Sequence, residues 1–434
     1  MKSSPMFFLG LLVGIHIYYG MSPAAFAESI EPMSLDQYYQ AALKRSEVIG
    51  TQRELINQAE EQYKQARAAR LPTLSGVATY TQQEQPPSSV PSTPSTLTRQ
   101  TNARLTVTQP LFRGFREFAA LRQTKALVNA QDDDYRHARV LLFEDVVTNF
   151  YTVLSLEKDL DNYAQEIDQN LAREKDLQAR VRIGKSRESE VLNVEAAISS
   201  LRAQVEQIHG QLQAARENLA FLSGRDANTP LRDDQPTIYQ VEPVDSYLNR
   251  LDQRPDILAS KQRYVAAKEN VSVAKGERLP SLDLNGNYYL ERPGYYKDIT
   301  WDVQLLLTIP LYSGGSVKSK ISEAVSQRTQ AELALSETRR QAEQEIRSAH
   351  SAVIFDLAQR DALENSTSAA DKSYQAQLRD YRLGLVTNLD VLQALTALQQ
   401  NRRALDRVRL STKLDFLKLQ TVSERRPSLN EPKP

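Results

Sequence analysis

The sequence predicts a mainly α-helical chain with transmembrane β-strands: internally duplicated long helical hairpins plus four strands per chain, trimerising into a 12-stranded β-barrel on an α-helical barrel. Three observations carry that prediction. Motifs recur in phase along the chain, proline-free stretches carry apolar residues at heptad spacing, and segments between them alternate apolar with polar.

Taken in order, Lys2, the apolar run Phe7 to Tyr19 and the small-x-small site Ala25-Phe26-Ala27 predict a removable export signal over residues 1–27. The two repeats follow, at 28–222 and 244–422, separated by an equatorial linker at 223–243 and followed by a tail at 423–434. Arg70-Leu71-Pro72-Thr73-Leu74 recurs as Arg278-Leu279-Pro280-Ser281-Leu282. Gln109-Pro110-Leu111-Phe112 before Gly114 recurs as Ile309-Pro310-Leu311-Tyr312 before Gly314, and Arg182-Ile183-Gly184 recurs as Arg382-Leu383-Gly384. The last two pairs keep one spacing of 200 residues, so the helix between them has one length in both halves. Each half reads as helix, strand, loop, strand, very long helix, tight turn and returning helix.

In the first half the helices are expected from about Leu35 to Arg70, Gly114 to Arg182 and Arg187 to Leu222, with tip turns at 182–187 and 382–387. Val191, Ile198, Val205, Leu212 and Leu219 stand seven apart, as do Val194, Leu201, Ile208, Ala215 and Leu222, which is an a/d seam. Such narrow stripes suit helices with water on two sides.

Strands are expected at about 72–82, 101–111, 280–291 and 299–311. Leu282, Leu284, Gly286, Tyr288 and Leu290 share one face, and so do Trp301, Val303, Leu305, Leu307 and Ile309. Residues Thr73 to Gln82 alternate poorly and are read as a strand from their repeat partner. Aromatics collect at the strand ends as interfacial girdles would: Tyr80, Tyr288, Tyr289, Tyr295, Tyr296 and Trp301 at one, Phe112, Phe115 and Tyr312 at the other. The Pro/Ser/Thr-rich stretch Gln83 to Gln100 predicts an exposed flexible loop. Pro110 with Gly114, and Pro310 with Gly314, are expected where strand becomes helix. Four strands cannot seal themselves in lipid; two copies would give a filled eight-stranded barrel, and three are the fewest that leave a pore. A soluble periplasmic coiled-coil scaffold or adaptor protein is the alternative reading.

Other chemistry is excluded by composition. There is no cysteine, hence no disulfide, thiolate metal site or lipidated anchor, and Lys+Arg balance Asp+Glu at 54 each, which gives no pull toward nucleic acid. The four histidines are scattered, and Gly314-Gly-Ser-Val-Lys318-Ser lacks the spacing of a phosphate loop. No enzyme activity, metal or cofactor is expected.

The paired motifs, with Arg250-Leu-Asp-Gln-Arg-Pro-Asp-Ile257 and Tyr381-Arg-Leu-Gly-Leu-Val-Thr-Asn-Leu-Asp-Val-Leu392, make the chain resemble the TolC-like outer-membrane factor (outer membrane efflux protein) family over about residues 34 to 422. That resemblance implies a homotrimeric outer-membrane channel of a tripartite efflux or type I secretion system. It would conduct substrates passively from an inner-membrane transporter and periplasmic adaptor to the exterior, with its barrel in outer-membrane lipid and a large periplasmic portion. An equatorial collar would come from Ser223 to Val244 and the segment after Val422. The resemblance also implies a periplasmic gate at Glu190, Asp390 and Tyr381, and adaptor contact at the tips through Arg182, Gly184, Lys185, Arg382, Gly384 and Leu385. Gln393 and Val386 depart from the family's usual second gate acid and gate arginine. Asp390 has a second role open to it, since Thr387-Asn-Leu-Asp390 reads as a helix capping box.

Overall fold

The computed structural model describes residues 31–84 and 98–424. The expected signal, most of the Pro/Ser/Thr-rich loop and the tail beyond residue 424 lie outside the described residues. A short strand β1 (Met33–Ser34) leads into α1 (Leu35–Arg45), where Ser34 caps the helix and the Gln37 side chain returns a bond to the Ser34 amide at 2.8 Å. The single helix expected from about Leu35 to Arg70 is in fact two. Ser46 leaves the helical region (φ −60, ψ 116), and its hydroxyl caps α2 (Glu47–Ala68) by accepting from the Ile49 amide at 3.3 Å.

Strands β2 (Thr73–Gln82) and β3 (Arg99–Arg113) form the first ribbon. Pro110 does not end its strand as expected. It sits inside β3 opposite Asp283, beside a register shift between Pro110 and Phe112, where an edge-of-ladder irregularity tolerates a missing amide. The helix α3 (Arg116–Arg182) then runs unbroken for 67 residues, roughly 100 Å at 1.5 Å per residue, and α4 (Glu188–Ser223) returns beside it. The segment between the halves is tied down: β4 (Leu231–Arg232) pairs in parallel with β1.

In the second half α5 (Val244–Leu248) and a short 3₁₀ turn precede α6 (Pro255–Gly276), which takes proline at its first position. Strands β5 (Ser281–Glu291) and β6 (Trp301–Thr308), α7 (Ser316–Arg382), again 67 residues, and α8 (Asn388–Val422) complete the chain.

The four long strands form one antiparallel sheet in the order β2-β3-β5-β6, so the ribbons of the two halves join through β3 and β5, and β2 and β6 are left as edges. The helices lie side by side. On one flank of α3 run α2 and α4, on the other α6 and α8, and α7 packs outside α6 and α8. Apolar residues fill the contacts within each hairpin, for example Tyr163 with Leu201 and Ile208. At mid-height a larger core gathers Leu35, Tyr38 and Tyr39 of α1 against Phe143, Val147 and Phe150 of α3 and Leu219 of α4. A matching cluster places Tyr247 and Ile257 against Ile346 and Val353 of α7.

Beside that second cluster Arg254 is buried and gathers three elements. It donates to Asp256 at 2.7 Å and to Glu345 of α7 at 2.7 Å, and to the Val422 carbonyl at the end of α8 at 3.3 Å, while Arg250 donates to the Glu424 carbonyl at 3.1 Å. The Arg-x-x-x-Arg-Pro-Asp run thus has a physical task. It starts α6 and closes the C-terminal end of α8, where unpaired carbonyls favour cations.

Candidate functional site at the sheet face and helical tips

The sheet has two unlike faces. On one, Thr106 donates to Asn287 at 2.8 Å, Asn287 to Asp302 at 2.8 Å, Thr108 to Asn285 at 2.9 Å and Arg113 to Asp283 at 3.1 Å, a ladder of short polar side chains running across three strands. On the other, Leu74, Tyr80, Leu105, Val107, Leu284, Tyr288, Leu290, Val303, Leu305 and Leu307 stand exposed, and Trp301 is 65% exposed. The register shows why β2 was hard to read. Its apolar face is Leu74, Gly76, Ala78 and Tyr80, whose small members give a weak signal although they line up with Val107, Leu105, Ala103 and Thr101. Tyr289 leaves the expected aromatic group. It is buried on the polar-face side beneath the Arg292 guanidinium at 4.1 Å, since it lies one residue out of phase with Tyr288.

Both strand-to-helix junctions use left-handed backbone, at Gly114 (φ +69) and at Gly314 (φ +61) and Gly315 (φ +84). At Gly114 space is also limiting, because a Cβ there would overlap the Gly276 carbonyl oxygen and lie 2.9 Å from Leu279. Gly314 faces open space, and Pro310 lies just beyond the end of β6.

At the far end the two tips share one turn. Gly184 (φ +70) and Gly384 (φ +77) end α3 and α7, with Lys185 and Leu385 amides donating back to Arg180 and Asp380 carbonyls at 2.8 and 2.9 Å. Arg182, Lys185, Arg382 and Leu385 are all exposed there. The expected gate residues divide. Tyr381 donates to Glu190 at 3.3 Å, joining the second half to the first, and Ser186 donates to the same carboxylate oxygen. Asp390 stays within its own turn, accepting from the Thr387 amide at 2.8 Å and hydroxyl at 2.6 Å, bonds that hold its carboxyl below the usual range. The capping reading therefore has geometric support, and among the described residues the hydrogen bonds of Asp390 go to Thr387 rather than to Tyr381 or Glu190. Between the tips lies a cavity of about 660 Å³ lined by Arg180, Glu190, Tyr381 and Asn388 among others.

Sequence reasoning missed a residue at the heart of this region. Arg173, buried on α3, stacks on the Tyr381 ring at 3.9 Å and donates to Asn388 at 2.8 Å, and its burial lowers the basicity of the guanidinium. It heads a polar seam between α3 and α8. Asp159 accepts from Arg407 at 2.8 Å, Asn162 donates to Asp406 at 3.0 Å, Glu166 pairs with Arg403, and Gln399 donates to Gln169 at 2.9 Å. Each partner sits more than 200 positions away, so each looks solvated when its own helix is read alone.

No described helix is long and apolar enough to cross a membrane, and the described residues hold no cluster suited to a metal ion. The sequence profile of the outer membrane efflux protein family matches residues 38–225 and 248–423. The chain is 24% identical to the outer membrane protein TolC of Escherichia coli over 94% of its length and 85% of that protein. Among solved structures, CusC superposes with a TM-score of 0.80 at 17% identity, covering 90% of this chain and 91% of that one. VceC of Vibrio cholerae gives 0.78 at 20% identity, covering 90% and 95%.

Proposed function

This chain belongs to the outer membrane efflux protein family, and from that membership we propose that three copies close one continuous duct across the outer membrane and periplasm. The protein is an outer-membrane channel of the efflux and type I secretion kind. In the proposed assembly β6 of each copy pairs with β2 of the next to give twelve strands, four from each copy. Residues 28–222 and 244–422 act as two structural repeats, with 223–243 and 423–434 contributing to the collar. Below the barrel the helices continue as a tube. Substrates handed over by an inner-membrane transporter and a periplasmic adaptor diffuse through it without chemistry.

The observation that carries this reading is the sheet: one face exposed and apolar, the other a hydrogen-bonded polar ladder, both edges unpaired. Lipid covers the first, water the second, and only another copy satisfies the edges. A soluble scaffold would have to hide the Trp301 face against its own helices, and that face is bare. Glu190, Tyr381 and Asp390 serve as the periplasmic constriction. Arg182, Gly184, Lys185, Arg382, Gly384 and Leu385 meet the adaptor.

The test is reconstitution. Purified protein should migrate as a detergent-dependent trimer and open water-filled channels in planar bilayers; a monomer that stays soluble without detergent would overturn the proposal. Glu190→Gln with Asp390→Asn should change conductance or cation selectivity. Unchanged values would remove the gate assignment while leaving the duct.

A further inference from the structure

At the foot of β3 a bulky residue stands where its repeat partner is glycine. Phe115 adopts left-handed backbone (φ +60), which residues with a Cβ rarely take, and it is 64% exposed, so burial does not offset the strain. The equivalent position 200 residues on is Gly315 (φ +84), where that backbone costs little. What the first half gains is an aromatic wall. The Phe115 ring meets Phe112 edge-on at 5.0 Å and Phe118 at 6.4 Å, and the Arg70 guanidinium lies over Phe118 at 4.2 Å. The second half keeps one ring of the three, Tyr312, with Gly315 and Lys318 in place of the others.

The wall stands on the apolar side of the sheet. Phe112 pairs with Leu282 of the apolar face, while Arg113 turns to the polar face and donates to Asp283 at 3.1 Å. Against the wall lies a cavity of about 140 Å³ lined by Arg70, Leu111, Phe112, Phe115, Glu117 and Phe118, with Arg113 behind it. Two of these groups lack a match. Among the described residues no carboxylate pairs with Arg70, whose carbonyl accepts from the Gln109 side chain at 3.1 Å, a bond that pins the end of α2 to β3. Glu117, in the first turn of α3, has its Oε1 buried without a hydrogen-bond partner among the described residues, the Arg116 nitrogen at 3.8 Å being too far to donate.

We infer that this cavity seats the headgroup of a phospholipid of the periplasmic leaflet, one that carries a phosphate and a primary ammonium, with the phosphate on Arg70 and the ammonium on Glu117. The inference rests on the reading of the sheet's apolar face as lipid-covered. Continuity with that face selects the occupant: the cavity lies at its helix end, the level at which headgroups succeed hydrocarbon. The volume admits a headgroup and not acyl chains, which would run over Leu111 and Leu74, both exposed. Charge selects the headgroup. A guanidinium forks onto phosphate oxygens, and a buried carboxylate oxygen without a donor calls for an N–H. A quaternary ammonium has no N–H to give, and a glycerol headgroup leaves the phosphate charge unbalanced beside Glu117. Since Phe115, Glu117 and Phe118 have no counterparts in Gly315, Val317 and Lys318, each chain offers one such seat, on its first half.

Native mass spectrometry of the intact purified protein tests this, in detergent holding equal amounts of phosphatidylethanolamine, phosphatidylglycerol and phosphatidylcholine. The wild type should keep one phosphatidylethanolamine per chain at collision energies that strip the other two, a several-fold preference. R70Q and F115G should each abolish that preference, F115G with its fold intact by circular dichroism because glycine suits the backbone there. E117Q should narrow the gap to phosphatidylglycerol, and Y312A, at the matching junction of the second half, should leave the preference unchanged. A channel that inserts into bilayers yet retains all three lipids equally, or prefers phosphatidylglycerol, would overturn the headgroup assignment. A preference that survives R70Q and F115G would overturn the site. A protein that stays soluble without detergent would remove the lipid-covered face beneath both.

Discussion

The helices α3 and α7 have the same length and the same place in their repeats, yet they live in different surroundings. Twenty-two residues of α3 are buried, against seven of α7. α3 is flanked on both sides by helices of its own chain, while α7 has neighbours on one side only. The difference teaches that burial in one chain of a duplicated protein is half of a pattern: the poorly covered copy marks what an assembly must supply. Propensity does not separate the two helices, since neither contains proline and both are rich in Ala, Glu, Gln and Arg.

The comparison breaks first at the core. Phe150→Ala, in the fully buried middle of α3, should cost about 3–5 kcal/mol in denaturant unfolding. Phe355→Ala on α7, where the ring is 72% exposed, should stay within about 0.5 kcal/mol for the single chain and show any larger loss only as weaker assembly. Equal losses for a dispersed chain would mean that α7 is covered from within.

The polar seam gives the next effect. Arg403→Met leaves Glu166 buried without its cation and should cost about 3–5 kcal/mol, while Glu166→Leu with Arg403→Met should recover most of that. If the double substitution is as harmful as the single one, the pair does more than satisfy itself. The strands that lead into the two helices come third. Leu305→Arg on the apolar face of β6 should weaken membrane insertion by about 2–4 kcal/mol, whereas Gln304→Arg on the polar face should alter conductance and leave insertion unchanged.

Much of this is legible in the amino-acid sequence. The four strands, both 67-residue helices and both tip turns follow from prolines, glycines and alternation kept in phase by duplication. What was not legible is nonlocal. Ser46 looked like one polar residue inside a helical stretch, and only its side-chain bond to Ile49 shows that it starts a new helix. Asp159, Glu166 and Arg173 stand seven apart, but as charged side chains they read as a solvated helix face, and their burial depends on partners from the other half. Tyr381 and Glu190 were read from resemblance to a family; their contact crosses the repeats and has no signature in either segment.

Two smaller effects sharpen the comparison where α3 and α7 end or meet. Glu424, beside Arg254 at the mid-height node, has its carboxyl lifted by burial to about 6 from the usual 4.5. The folded state therefore holds a proton that the unfolded chain has released, and stability should fall as pH rises from 4.5 through 6, by up to about 2 kcal/mol. Glu424→Gln should flatten that slope in thermal melts; an unchanged slope would place the titration elsewhere. At the tips, Thr387 caps α8 with its hydroxyl, while Arg187 at the matching position of α4 provides no side-chain cap. Thr387→Ala should cost about 1 kcal/mol and Arg187→Ser should gain a similar amount, both read by hydrogen exchange in the first turns.

The unpaired outer strands have a consequence for biogenesis. A newly exported chain can complete its three inner ladders alone, but its last main-chain bonds wait for an encounter with another molecule. Maturation is then bimolecular at its final stage: dilution slows it, crowding on a membrane speeds it, and any chain that stalls carries a sticky rim through the periplasm until it meets its own kind.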